Sequence, residues 1–313
     1  MKLTQIATAI KEAGKPLDCW NLLIYGDPKT GKTRLAATIA KVPHIKNVHF
    51  FTVENGTETL LTMLRENVLT QEQAEKIIVY DIPDTPAHPY AFETISKIIT
   101  TDRNWIICEK HGRCDCQDCA VRGPDKIISG AKSKGSILSY EGQPFNLAKL
   151  TKEAVVIIDN LTQVSRSTLA WKMFGKDYDI KAGWDEYGPQ GRVLSDILSV
   201  MQACASTNFI ATSHRVGIDF KNTGQRADPD EAQDDDVTTK YYPAIGTKNF
   251  SLLCGGFFSH IVYVEMKLNQ HKGGSATNYN QDILTGSRGG WRLEKEKEMD
   301  LSLLFHHLVS SSK

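Results

Sequence analysis

Eight consecutive residues have the type and spacing of a phosphate-binding loop. In order they are Gly26, Asp27, Pro28, Lys29, Thr30, Gly31, Lys32 and Thr33, a full match to G-x-x-x-x-G-K-[ST]. The glycines allow the backbone to wrap closely around phosphate, so that successive N–H groups point at the anion. Lys32 is placed to reach the β- and γ-phosphates, and the Thr33 hydroxyl to ligate Mg²⁺. The segment predicts an ATP and Mg²⁺ site.

A second Mg²⁺ ligand is expected at the end of another apolar strand. Residues 154–158 are uniformly apolar and are followed by Asp159, which predicts a carboxylate that holds Mg²⁺ through water. A strand-ending Asp that only caps a helix is the alternative. The next residue is Asn160, at the position where many P-loop ATPases carry the water-activating Glu. If the chain is a hydrolase, the base must therefore lie elsewhere.

Two more polar residues end apolar strands. Glu54 ends the strand that follows the phosphate loop and its helix, which places it at the carboxyl edge of the sheet, where ligands of open α/β folds bind. We therefore predict Glu54 as the catalytic base. His214 follows the apolar residues 209–211 and is predicted to contact the γ-phosphate. The alternatives are a surface Glu at a strand end and a purely structural His.

Four of the seven cysteines lie close together in the chain. They are Cys108, Cys114, Cys116 and Cys119, and His111 between them is an alternate ligand. Thiolates and imidazole suit tetrahedral Zn²⁺, which would fold a segment too polar to fold alone. A single residue between two of the cysteines is not a standard zinc-ribbon spacing, so a redox pair and plain reduced thiols stay open as alternatives.

The elements that must position these residues alternate between apolar strands and helices. This alternation predicts an α/β fold with a mainly parallel sheet covered on both faces. Strands are expected at residues 21–25, 48–53, 77–80, 154–158 and 209–212. Helices are expected at residues 1–16, 32–41, 58–67, 90–100, 161–174, 188–205 and 301–309. Late strands are expected at 261–266 and 283–293.

The alternation breaks in one Cys-, Gly-, Lys- and Ser-rich segment. We therefore predict that residues 1–104 form the first part of an ATPase core, residues 105–148 a zinc-binding insertion, and residues 149–313 the second part of the core. Residues 217–240 are polar and include an acidic run at 228–236, which predicts a solvated loop.

Composition excludes several classes of protein. The 313 residues include 37 Lys and Arg against 37 Asp and Glu, so the chain is not a globally basic nucleic-acid coat. No apolar run approaches the roughly 18 residues of a membrane helix, and the first residues lack a signal-peptide core. These features predict a soluble cytoplasmic protein with no membrane partner.

Taken together, the phosphate loop, the Glu and Asp at strand ends and the polar Thr212-Ser213-His214 resemble the RecA-like ATPases. More narrowly, with its Trp184-Asp185-Glu186-Tyr187-Gly188 motif, the chain looks like the phage-encoded recombinases that act as ATP-dependent single-strand annealing proteins. The resemblance gives Glu54 the catalytic-base role and Asp159 the Mg²⁺ role. It places His214 where RecA has Gln.

The resemblance also implies two DNA-binding loops, here at about 175–188 and 217–248. Around the first loop, cations and aromatic rings alternate, a mixture that suits single strands: Lys172, Lys176, Tyr178, Lys181, Trp184 and Tyr187. Aromatic rings that pack a helix–loop corner are the alternative. The acidic centre of the second loop would repel phosphate.

These patterns predict a Mg²⁺-dependent ATP hydrolase that acts on single-stranded DNA in phage recombination or replication and assembles into a ring or filament. A neighbouring subunit would supply a cation to the transition state. The candidates are Arg288, Arg292, Lys295 and Lys297. One alternative is a replication ATPase of the helicase-loader type that binds a protein partner. The other is an ATP-gated binding module without hydrolysis.

Overall fold

The computed structural model describes residues 19–85, 88–122, 138–176, 180–221, 237–267, 270–274, 286–287 and 299–304. Several expectations lie outside these residues. They are the helix at 1–16, the acidic run at 228–236, the late strand at 283–293 except for residues 286–287, Tyr178, and the four candidate cations Arg288, Arg292, Lys295 and Lys297.

The described strands follow one another along the chain as β1 to β13. Their bounds are β1 Asn21–Gly26, β2 Asn47–Thr52, β3 Ile77–Asp81, β4 Trp105–Ile107, β5 Val121–Arg122, β6 Leu138–Ser139, β7 Gln143–Phe145, β8 Ala154–Asp159, β9 Asn208–Lys221, β10 Val237–Pro243, β11 His260–Lys267, β12 Gln270–Gly274 and β13 Gly286–Ser287.

The described helices alternate with these strands. Their bounds are α1 Lys32–Ala37, α2 Gly56–Arg65, α3 Gln71–Glu75, α4 Tyr90–Thr100, α5 Leu161–Met173, α6 Trp184–Ala203, α7 Lys248–Leu253 and α8 Leu301–Leu304. Short 3-10 turns lie at Thr38–Lys41, Gln117–Cys119, Leu147–Lys149 and Cys254–Phe257.

One large sheet organises the chain, in the order β12-β11-β1-β9-β8-β2-β3, with β10 beside β9 and β13 beside β11. All neighbours from β11 to β3 are parallel. The strands β10, β12 and β13 pair antiparallel with their neighbours. Because parallel strands end at the same edge, the register sets Gly26 beside His214 and Thr52 beside Asp159. This edge collects the predicted site residues.

Apolar cores cover both faces of the sheet. Successive side chains of a strand point to opposite faces, so Ile157 joins one core while Ile158 joins the other. The core that contains Ile157 also contains Leu35 of α1, and the core that contains Ile158 also contains Val164 of α5. Burial on both faces is the reason that the central strands are almost continuously apolar. The predicted α/β fold with a mainly parallel sheet is confirmed.

Two elements differ from the sequence-based expectation at the predicted DNA loops. Helix α6 begins at Trp184 instead of 188, because the Glu186 carboxylate accepts the Gly183 N–H at 2.6 Å and starts the helix earlier. Strand β9 continues to Lys221 because β10 pairs with it antiparallel. Part of each expected loop is therefore regular structure.

Two helices differ in length from the expectation. The helix expected at 32–41 ends at Ala37 and continues as a 3-10 turn to Lys41. Of the C-terminal helix expected at 301–309, the structure describes Leu301–Leu304.

The described part of 105–148 forms two small antiparallel pairs, β4 with β7 and β5 with β6, outside the large sheet. The first pair packs on the core. Phe145 of β7 meets Phe51 and Tyr80 edge-on at ring separations of 5.1 and 6.0 Å, and Trp105 and Ile107 of β4 join the same apolar cluster. The base of this segment is therefore continuous with the core. The three-part division of the chain stays a prediction.

Candidate functional site

The phosphate loop begins where β1 ends. At Gly26 a Cβ atom would lie 2.0 Å from the carbonyl oxygen of Val264 on β11, so the strand leaves no room for a side chain. Gly31 has a φ of 88°, the left-handed region, immediately before α1. The two glycines of the pattern are thus required by close approach and by backbone conformation.

Lys32 is buried beneath this loop. Its Nζ donates to the carbonyl oxygens of Asp27 at 2.6 Å and of Gly26 at 3.3 Å. Burial lowers the pKa of Lys32 to about 8, and the nearby carboxylates of Asp159 and Glu54 oppose the shift. A polyphosphate would supply the negative charge that favours the ammonium form. The position of Lys32 therefore fits the phosphates of ATP.

Thr33 and Asp159 meet across α1 and β8. The Thr33 hydroxyl donates to Asp159 Oδ2 at 2.9 Å, and the Thr212 hydroxyl donates to Asp159 Oδ1. Burial raises the pKa of Asp159, and these two hydrogen bonds and Lys32 oppose the rise. A divalent cation would favour the ionised form, and carboxylate and hydroxyl oxygens are the donors that Mg²⁺ prefers. The pair therefore fits Mg²⁺.

Glu54 lies just beyond β2 and faces two partners. Its Oε2 accepts from Asn160 Nδ2 at 2.6 Å and lies 3.3 Å from His214 Nε2. The hydrogen bond with His214 lowers the pKa of Glu54, burial opposes this, and Asn160 lowers it further. Glu54 is thus held as a carboxylate, the form that a general base needs.

The structure brings the predicted residues Lys32, Thr33, Asp159, Glu54 and His214 to one edge of the sheet. The catalytic and metal-binding roles of these five residues stay predictions. The sequence analysis did not identify the residue next to His214.

That neighbour, Arg215, ties the phosphate loop to the end of β9. Its Nε lies 2.6 Å from Asp27 Oδ1, its guanidinium donates to the Tyr263 hydroxyl at 2.8 Å, and it stacks on Tyr241. The only signal for it in the sequence is its place directly after His214.

A comparison with protein-family models gives a match over residues 19–289, most of the chain, to the AAA domain. The chain belongs to this family. It is therefore a P-loop ATPase of the AAA type, and the match includes the phosphate loop, Glu54, Asp159 and His214. A search of curated proteins found no match.

Two solved structures are similar to this AAA ATPase at low identity. One is a prototypical ATPase from the type III secretion system of pathogenic bacteria, at 12% identity and a TM-score of 0.44, with 86% of this chain covered. This chain spans 57% of the length of that protein. The other is the RadB recombinase, at 12% identity and a TM-score of 0.37, with 85% of this chain and 84% of RadB covered.

The AAA ATPase carries a cluster of cysteine and histidine side chains against α4 and the end of β3. The ligand atoms of Cys108, His111, Cys116 and Cys119 all lie within 4.8 Å of one another. His111 Nδ1 is 3.4 Å from the sulfur atoms of both Cys116 and Cys119, and its backbone N–H donates to Cys108 Sγ at 3.3 Å. Three thiols and one imidazole are a possible ligand set for a metal ion.

Cys114, predicted as a zinc ligand, lies outside this group. It pairs with Ile107 in an isolated β-bridge, and its side chain is buried in the apolar core. Burial raises the pKa of Cys114 to about 12, which disfavours the thiolate that a metal needs. His111, the alternate ligand, takes the fourth position instead.

The ATPase exposes aromatic rings where α5 ends and α6 begins. Trp184 is 90% exposed and Phe174 63%, and Trp171 and Tyr187 are also exposed. Lys172 lies over the Trp171 ring at 4.1 Å. Lys176 is paired with Glu186, so part of the positive charge expected here is neutralised.

Within the described ranges, no helix is both long enough and apolar enough to cross a membrane.

Proposed function

We propose that this ATPase hydrolyses ATP with Mg²⁺ and couples hydrolysis to the binding of single-stranded DNA in phage recombination or replication. The observation that carries the proposal is the meeting of Lys32, the Thr33–Asp159 pair and Glu54 at one sheet edge. A buried cation, a hard-oxygen pair and an ionised carboxylate are the three groups that phosphoryl transfer to water requires.

In the proposed reaction, water attacks the γ-phosphate in line with the bond to the leaving oxygen. Lys32 stabilises the negative charge that develops on the β- and γ-phosphate oxygens. Glu54 orients the water and accepts its proton, and His214 is the residue placed to sense the γ-phosphate. Mg²⁺, held by Thr33 and through water by Asp159, would neutralise phosphate charge.

The remaining cation is proposed to come from a second subunit. The candidates are Arg288, Arg292, Lys295 and Lys297, all beyond the described residues. This arrangement requires self-association into a ring or filament, and the protein would work in the cytoplasm of the host cell. Turnover measured with and without single-stranded DNA, beside size-exclusion chromatography with and without ATP, tests hydrolysis, DNA dependence and assembly together.

The proposed DNA surface is the exposed aromatic group at the junction of α5 and α6. Every base has a face that stacks on Trp or Tyr, so such rings bind single strands without strong sequence preference. Trp184, with 90% of its surface exposed, is the most exposed aromatic ring among the residues that the structure describes. Lys172 adds a cation next to Trp171.

Replacing Trp184 with Ala is expected to raise the dissociation constant for single-stranded DNA in the presence of ATP by about 5- to 150-fold, the equivalent of one lost base stack. Fluorescence anisotropy of a labelled oligonucleotide measures this. Leu253→Ala is the matched control, because Leu253 is 74% exposed and lies on α7. Equal affinity of Trp184→Ala and the parent protein would contradict the assignment of this surface.

The same exposed rings favour a second candidate function. Contiguous exposed apolar side chains also mark protein–protein contact sites, and the pairing of Lys176 with Glu186 leaves less charge for DNA. A replication ATPase of the helicase-loader type, with a protein partner, is therefore the alternative. It predicts no salt-dependent binding of single strands. An ATP-gated binding module would bind ATP without measurable turnover.

We further propose that Cys108, His111, Cys116 and Cys119 bind one structural Zn²⁺. The loop they hold is docked on the core: Gly112 packs against the backbone of Asp81 and Ile82, and its carbonyl oxygen accepts from Thr94. The Arg113 guanidinium lies over the Tyr90 ring. The ion would therefore fasten this segment to α4 and the end of β3.

Protein purified without added metal is expected to contain about one zinc per chain by elemental analysis. Cys116→Ala is expected to lose most of it, whereas Cys114→Ala is expected to keep it, because Cys114 faces the core. Loss of zinc from both variants would restore the four-cysteine ligand set. Absence of zinc, with the clustered thiols freely titratable in the native protein, would reject the site.

A further inference from the structure

We propose that Asn160 is a positioning residue that holds the Glu54 carboxylate in place for base catalysis. The proposal rests on the proposed function, because it takes Glu54 as the base. Asn160 lies directly after Asp159, where it cannot itself accept a proton from water. Its contact with Glu54 spans 106 residues of sequence and gives it a different use.

The hydrogen bonds of Asn160 determine which way its side-chain amide is oriented. Its Oδ1 accepts the backbone N–H of Gln163 at 2.8 Å and caps the first turn of α5. Its Nδ2 then points to Glu54 Oε2 at 2.6 Å. The flipped amide would set oxygen against carboxylate and N–H against N–H, so both contacts would be lost. Asn160 is also buried, at 3% exposure, which protects the contact from water.

The first turn of α5 holds the neighbour of the base as well. The Thr162 hydroxyl accepts the backbone N–H of His214 at 2.9 Å and is 3.0 Å from the Ser213 hydroxyl. His214 Nε2 in turn lies 3.3 Å from the same Glu54 oxygen. The positions of Glu54 and His214 are therefore both fixed by contacts with the start of α5.

Glu54 needs such an anchor because it lies beyond the end of β2. Its side chain is 35% exposed and would otherwise sample several rotamers. Misplacement of a catalytic group by about 1 Å costs roughly 100-fold in rate. A buried amide fixed at its other end restrains the carboxylate without competing for the proton of the attacking water.

Helix capping alone does not require Asn at this position. Ser and Asp cap helices about as well. Neither presents an N–H donor to Glu54, and the shorter Ser also lacks the reach. Asn160→Ser and Asn160→Asp therefore keep the helix cap and remove the contact with the base, and the Asp variant adds a negative charge beside Glu54.

The experiment measures kcat and KM for ATP in both variants, each alone and combined with Glu54→Gln. In the parent background we expect kcat to fall by roughly 10- to 100-fold, the rate equivalent of a hydrogen bond to a charged group, with KM little changed. In the Glu54→Gln background we expect little further fall, because Asn160 acts through the carboxylate that is already gone.

Parent-like kcat in either variant would overturn the proposal, and so would the same fall in both backgrounds, since the effect would then be structural. Thermal unfolding of each variant checks the fold. If Asn160→Ser does not fold, the isosteric Asn160→Asp decides alone. A failure of the proposed function is distinguishable, because Glu54→Gln by itself would then hydrolyse ATP at the parent rate.

Discussion

Replacing Glu54 with Gln is expected to lower the turnover of ATP by roughly 10²–10⁴-fold, the usual value of general-base assistance. Gln keeps the size of the side chain and an oxygen that accepts from Asn160 and His214. It lacks the basic carboxylate that takes the proton from water. Steady-state release of phosphate measures the loss.

Binding of ATP is expected to survive in this variant, because the phosphate loop, Lys32 and Thr33 hold the phosphates without Glu54. The variant would then accumulate in the ATP-bound form and hold single-stranded DNA, or its own assembly, longer than the parent protein. Glu58→Gln is the matched control, since Glu58 is exposed on α2 only four residues away. Hydrolysis at the parent rate in Glu54→Gln would refute the assignment of the base and favour the alternative functions.

Replacing Lys32 with Ala is expected to abolish turnover. Lys32 is the buried cation under the phosphate loop, and removing it leaves the charge on the β- and γ-phosphates without its nearest counter-charge. ATP should also protect the variant less against heat, because stabilisation by a ligand depends on its affinity for the folded state. Phosphate release and thermal unfolding with and without ATP measure the two effects.

Lys46→Ala is the matched control for this change. Lys46 is exposed near the start of β2, at the opposite edge of the sheet, and its Nζ reaches only the backbone of Pro43 among the contacts described. It should keep both turnover and protection by ATP. Hydrolysis at the parent rate in Lys32→Ala would overturn the entire assignment of the nucleotide site.

The central fold was predictable because local patterns carry most of its information. The strands β1, β2, β3 and β8 and helix α4 lie within one or two residues of their expected bounds, since each is an apolar run bounded by turn residues or polar ends. The C-terminal end of β9 and the start of α6 were not predicted, because both depend on contacts with other residues. β10 extends β9, and the Glu186 carboxylate starts α6.

The sequence by itself determined the phosphate loop. The pattern G-x-x-x-x-G-K-[ST] lies within eight consecutive residues, so it can be recognised without knowledge of the rest of the chain. It also indicated Asp159, Glu54 and His214, because the ends of parallel strands share one edge of a sheet.

Only the tertiary structure decided which of these groups touch. The contact of Glu54 with Asn160 and the contact of Asp27 with Arg215 each span more than 100 residues and depend on the order of β1, β9, β8 and β2 in the sheet. The tertiary structure also decided which cysteines lie together in the proposed metal site. Spacing could not exclude Cys114, but the bridge to Ile107 turns that cysteine into the core and leaves His111 facing the other thiols. Sequence spacing sets which side chains can reach one another, whereas packing against distant strands decides which of them do.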